Sequence, residues 1–296
     1  MSMAAKSIIY LAIAYAVTSG IVITAWSQGL HQGDPQIAVA VLAVSMIGPA
    51  VAALVCAIAF EKGQRVKALG LGGRWSLWWP IAWLAPIAIA AGSVAFSIAL
   101  SDRSYVDVGE MAAAAAASQG QDLSQVPAFL TSTAFIVAMS VTLGAAINWL
   151  ILTFTEELGW RGYLHHLWRS AGFWRASLAT GAVWGFWHAP MIYLFGHNYP
   201  DDRIVGVGLF VIFCMLLSPI MTFIRDRTNS VWSAGLFHGT FNAVGGLTIA
   251  MISNPAFPWN GIVGIGGFAA LAIGVAIVAL LQRGQKEAPS QATATA

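Results

Sequence analysis

The sequence predicts an all-α, polytopic transmembrane helical bundle of about eight spans with both termini cytoplasmic. Three observations predict it. Of 296 residues, 58% are apolar and only 9% charged, with a mean hydropathy of +0.74. Apolar stretches of bilayer length recur along the chain. The basic residues also segregate to one side of the arrangement these stretches imply. A soluble domain carries about 25% charged residues because its surface meets water. A net charge of +2 supplies no basic field, so nucleic acid is excluded as a partner. Cys56 and Cys214 lie inside apolar runs and read as small buried hydrophobes rather than a disulfide framework.

A bilayer core takes about 20 apolar residues per helix. Eight stretches qualify: 7–26, 37–60, 76–100, 127–154, 176–195, 204–224, 231–251 and 262–281. The first is too apolar and too long for a signal peptide, and no small-x-small cleavage site follows it. With eight spans and both termini together, every Lys and Arg except Arg103 and Arg203 falls on one side. The positive-inside rule makes that side cytoplasmic and implies the plasma (inner) membrane. An odd number of spans would scramble this partition. Trp75, Trp78, Trp160, Trp168, Trp174 and Trp232 fall near the same boundary, as headgroup-level aromatic rings do. The alanine run 112–117 predicts a short helix in the outer 101–126 loop. No internal repeat is visible. Residues 1–284 thus read as one membrane domain with a motif-bearing core at 127–251, and 285–296 as a disordered tail.

Polar side chains at membrane depth are costly unless satisfied, which makes them functional candidates. Three places stand out. Glu156 and Glu157 are adjacent carboxylates that repel each other. Glu157 can pair with Arg161 at i, i+4, while Glu156 points about 100° away and has no sequence-local cation. His188 stands about twelve residues into its span, two before Pro190, which can kink the helix. His238 and Asn242 project from one face of span seven at i, i+4. Gly181 and Gly185, and Gly235 and Gly239, are small-xxx-small pairs that admit a neighbouring helix. The bland alternatives are a charged helix end for the glutamates and interhelical hydrogen bonding for the others.

Weaker candidates are His165 and His166, expected to face headgroups, and His197 with Asp201 and Asp202 in a short outer loop, as compatible with solvent as with a metal. The sequence has no His-Glu-x-x-His helix, no Gly-x-Ser-x-Gly elbow and no phosphate-binding Walker loop.

Glu156-Glu157-x-x-x-Arg161, an aromatic-x-x-x-His188 and His238-x-x-x-Asn242, in this order on successive spans, resemble the CPBP family of intramembrane proteases. These are the type II CAAX prenyl endopeptidases and bacteriocin-processing (Abi) membrane proteins. The resemblance covers residues 156 to 242. Trp184 stands where the family has Phe, which alters the shape of the substrate pocket while keeping an aromatic shield.

The resemblance implies hydrolysis of a peptide bond within the membrane. Glu156 would be the base that activates water, with His188 holding and polarising it. Glu157 and Arg161 would orient and balance Glu156. His238 and Asn242 would donate to the tetrahedral oxyanion. The metal-free reading is preferred; the alternative is a catalytic Zn²⁺ held by Glu156, His188 and His238. The implied partner is a peptide or membrane-protein substrate, lipidated or not, in the bilayer. Two rivals keep the fold without the protease: a non-catalytic immunity or binding protein, and a small-solute transporter.

Overall fold

The computed structural model describes residues 1–32, 35–120, 122 and 126–287, and among them the chain is a bundle of helices with a single isolated β-bridge, Tyr105 with Ile252. α1 (Met3–Ser27) opens it, followed by α2 (Pro35–Ser45) and α3 (Gly48–Phe60). The expected single span 37–60 stands as one candidate span, Gln36–Phe60, with a turn at Met46–Ile47 ahead of Gly48-Pro49. Pro49 lies in the first turn of α3, where its missing N–H removes no helical bond. The Ser45 carbonyl at this turn is satisfied across the interface, accepting from the Thr18 hydroxyl of α1 at 2.7 Å.

After the short α4 (Arg65–Ala68) come α5 (Trp78–Ala99) and, in the outer loop, α6 (Val108–Ser118), the helix its alanines predict. Asp107 caps α6, accepting from the Glu110 amide at 3.0 Å and the Thr133 hydroxyl at 2.7 Å. These bonds hold its carboxyl below the usual carboxylate range.

The fourth expected span, 127–154, is displaced and longer. Residues 128–131 form a 3-10 turn, and one rod then runs from Thr133 to Ala171. It comprises α7 (Thr133–Met139), α8 (Ala145–Leu152) and α9 (His165–Trp168), joined by π-helical segments Ser140–Gly144 and Thr153–Leu164 and closed by a short 3-10 turn. α10 (Phe173–Trp187) and α11 (Ala189–Phe195) form a broken span, interrupted at His188 ahead of Pro190. α12 (Arg203–Thr228), α13 (Val231–Ala250) and α14 (Ile265–Glu287) complete the bundle. α14 carries helix through residues 285–287, the start of the expected disordered tail. The remainder of that tail, and Asp34 in the first outer loop, lie outside the described residues.

Among the described residues, six helices are long and apolar enough to cross a bilayer. The chain is an integral membrane protein. The other two expected spans are helical but fall short of that measure, one by length and one by polarity. α10 stops after 15 residues at His188, and α13 carries His238, Asn242 and three threonine or serine hydroxyls among its glycines.

Both glycine pairs act as expected. A Cβ on Gly181 or Gly185 would collide with the α12 backbone at Cys214–Met215 and Phe210–Val211. One on Gly235 or Gly239 would collide with Thr153 and with the Asn148–Trp149 backbone. Lipid tails are as apolar as leucine, so such contacts, rather than exclusion from water, hold membrane helices together. We predict that Gly181→Leu or Gly239→Leu lowers stability by about 1–3 kcal/mol or more. Gly208→Leu, on the same α12 but with open space at its Cβ, stays near wild type. Thermal unfolding in detergent separates the three; equal melting of all variants contradicts the close-packing role.

Candidate functional site

The site is built on the second π-helical segment, Thr153–Leu164. π-helical turns are rare and concentrate at functional positions. Here every residue from Glu156 to Leu164 is buried, which is unusual for a stretch containing two carboxylates and a guanidinium. The sequence permits this because Gly159 lets α3 approach at Pro49 and Gly162 lets the chain at Leu69 approach. A Cβ on either would overlap those backbones.

Glu157 joins three elements. Its Oε1 accepts from Arg161 Nη1 at 3.0 Å, the i, i+4 pair the sequence predicts. The same oxygen meets His238 Nδ1 of α13 at 2.8 Å. A carboxylate oxygen accepts, so this imidazole carries its proton on Nδ1 and presents Nε2 elsewhere. Both partners of the ion pair are at most 1% exposed. The Arg161 guanidinium also lies over the Trp184 ring, 4.3 Å from its centroid.

Glu156 is held by a different group. Its Oε2 accepts from Trp184 Nε1 at 2.7 Å, leaving Oε1 without a hydrogen bond among the described residues. Phenylalanine at this position would shield the carboxylate but could not donate to it, so the tryptophan adds a hydrogen bond as well as changing shape. His188 Nδ1 donates to the Trp184 carbonyl at 2.9 Å, so its Nε2 is the acceptor. The Trp184 indole stands beside both histidines, with ring centroids 6.0 Å from His188 and 5.1 Å from His238. Trp187 and Phe210 pack on the His188 ring, each at 4.6 Å.

A cavity of about 390 Å³ gathers these groups. Glu156, Trp184, His188, His238 and Asn242 all line it, and Phe210, Phe213, Leu217 and Phe241 form its apolar wall. Asn242 is exposed into it, and its carboxamide makes no hydrogen bond among the described residues. Glu157 and Arg161 are not on the wall; they stand behind it, holding His238 and Trp184.

Three lining residues were not singled out together by sequence reasoning. His197 and Asn198 come from the α11–α12 loop, and Asn148 from α8. His197 turns toward the cavity rather than joining Asp201 and Asp202, and burial pushes its imidazole down to about 4, so it is neutral at ordinary pH. Only the break at His188 brings this loop back over the cavity, a turn not visible in residue spacing. Asn148 Nδ2 donates to the Gly144 carbonyl at 2.9 Å, in the first π segment. His165 departs from expectation: it is buried, its Nε2 3.0 Å from Asp226 Oδ1 of α12, instead of facing headgroups.

Zinc has a mixed fit. The Nδ1 bonds of His188 and His238, to a carbonyl and a carboxylate, resemble the outer partners of metal-binding histidines. Among the described residues, however, no three His, Cys, Asp or Glu side chains stand close enough to hold an ion, Glu156, His188 and His238 included.

Removing one member of a buried ion pair strands its partner at a cost of about 3–5 kcal/mol. Arg161→Met is expected to destabilise the fold by this order, and Arg161→Met combined with Glu157→Gln to recover most of it. Chemical unfolding of the purified protein reads both; additive losses in the double variant contradict the coupling.

The comparison with curated proteins finds no match. A family model described as type II CAAX prenyl endopeptidase Rce1-like matches residues 138–244. That stretch runs from the end of α7 to the middle of α13 and contains all of the motif residues around the cavity. The match covers the motif-bearing part of the chain, which is thus similar to the type II CAAX prenyl endopeptidase Rce1-like family, and it supports membership of the wider CPBP family.

Proposed function

We propose that the chain is an intramembrane endopeptidase in which Glu156 activates the attacking water. The observation that carries this reading is the common cavity. A free carboxylate oxygen, an acceptor imidazole and an unpaired carboxamide face one water- and peptide-sized space beside an apolar wall.

A water donating to Glu156 Oε1 and to His188 Nε2 is held by both. As its oxygen bonds to the scissile carbonyl carbon, one proton passes to Glu156 and the carbonyl π pair moves onto oxygen. Asn242 Nδ2–H and His238 Nε2–H donate to that oxyanion. The His238 donor role requires an imidazolium, since Nδ1–H already serves Glu157. When the tetrahedral intermediate collapses, the C–N bond breaks and Glu156 returns its proton to the leaving nitrogen. Trp184 Nε1 orients the base throughout.

The basic-side bias supports cytoplasmic termini and residence in the plasma membrane. The apolar wall of the cavity supports an extended, apolar-flanked peptide as the proposed substrate, lipidated or not.

Terminal proteomics of membranes from cells carrying wild-type or Glu156→Gln protein tests the proposal. Peptide termini present with wild type should vanish with Glu156→Gln, a loss of about 10²–10⁴ in rate. With a cleaved peptide in hand, Asn242→Ala should cost about 10²–10³ and Trp184→Phe about tenfold or more. Identical termini from wild type and Glu156→Gln, with both proteins folded, would overturn it in favour of a binding role.

A further inference from the structure

On the face of the bundle opposite the α11–α12 loop, a second concavity of about 810 Å³ opens between α4, the 63–72 segment, α9 and the C-terminal end of α12. Arg65, Lys67, Arg169 and Arg225 line it, with His166. Among the described residues, no Asp or Glu does. Four fixed positive charges from three separate chain segments therefore converge on one hollow. The positive-inside rule asks only that cations lie on this side of the membrane, not that they share a concavity.

The nearby acids are already engaged. Glu61 pairs with Lys6 at 2.6 Å, and Asp226 Oδ1 is shared by His165 Nε2 at 3.0 Å and Arg225 Nη1 at 3.3 Å. Lys67 and Arg169 make no ion pair or side-chain hydrogen bond among the described residues.

The floor is built rather than incidental. Arg225 is 5% exposed, and its Nε donates to the Arg161 carbonyl at 3.1 Å, behind the Glu157 pair. Its Nη2 makes no hydrogen bond and lies toward Gly70, where a Cβ would stand 3.2 Å away. Gly70 has φ +65°, a conformation glycine adopts freely, and lines the hollow. The missing side chain gives Arg225 its opening. On the rim, Val66 is 64% exposed. Apolar groups exposed beside clustered cations mark the depth of lipid headgroups.

We propose that this hollow binds a phosphoryl group, the chemistry shared by an anionic phospholipid headgroup and free phosphate. Several acceptor oxygens on one centre match the convergent donors: the Arg169 and Arg65 forks, the Lys67 ammonium and Arg225 Nη2. The site is independent of peptide hydrolysis, so its test reads binding alone.

Full-length protein purified in detergent is mixed with equal amounts of phosphatidylglycerol and phosphatidylcholine, and retained lipid is counted by native mass spectrometry. A parallel arm follows the melting temperature with added inorganic phosphate against chloride at equal ionic strength. Three proteins are compared: wild type, Lys67→Gln/Arg169→Gln, and Arg74→Gln/Arg283→Gln, which loses the same charge away from the hollow. Wild type and the Arg74/Arg283 variant should retain phosphatidylglycerol over phosphatidylcholine. The Lys67/Arg169 variant should lose that preference by about tenfold or more. Stabilisation by phosphate without lipid preference, lost in the same variant, supports the site with a soluble ligand instead. Equal losses in both variants, or a wild type indifferent to phosphatidylglycerol and phosphate alike, overturn the proposal.

Discussion

The arrangement depends on one carboxylate oxygen. Glu157 Oε1 accepts from Arg161 within the π-helical segment and from His238 across the interface with α13. Neither contact touches the cavity. Together they fix the rotamer of His238, and the Arg161 guanidinium then bears on the face of Trp184. Trp184 in turn holds Glu156 through its indole N–H and His188 through its carbonyl. The chain of contacts runs from a buried ion pair to the Glu156 carboxylate. A charge this deep is costly unless fully partnered, so the same interactions that make the site also penalise any packing that separates them.

Much of this was legible in the sequence because the code for it is local. The Glu157–Arg161 pair follows from helical spacing, and so do the two glycine pairs, their partners being α12 and the rod containing α8. His238 and Asn242 share a face because they lie four apart on a regular helix. The pattern of apolar stretches predicted the bundle, and the two expected spans below that measure carry His188 and the His238–Asn242 pair.

What the sequence did not show depends on backbone departures that spacing assumes away. The sequence reading ends this span at 154 and assumes regular helical spacing for the glutamates, so it gives no hint that Glu156 and Glu157 sit on π turns of a longer rod. The proline steps at Gly48-Pro49 and Ala189-Pro190 signal breaks, but not that the second returns His197 and Asn198 to the cavity. His165 was misplaced for a similar reason. Its aromatic and basic neighbours in sequence suggest a headgroup environment, whereas its spatial neighbour is Asp226, 61 residues on.

The central claim is that Glu156 acts on water and not directly on the peptide. Single-turnover cleavage in water enriched in oxygen-18, with enzyme in excess over a peptide found by terminal proteomics, tests it most directly. The account predicts heavy oxygen in the new C-terminal carboxylate of the product and none in the side chain of Glu156. Label appearing in Glu156, with the product carboxylate left light, would show the carboxylate attacking the peptide itself and would contradict it.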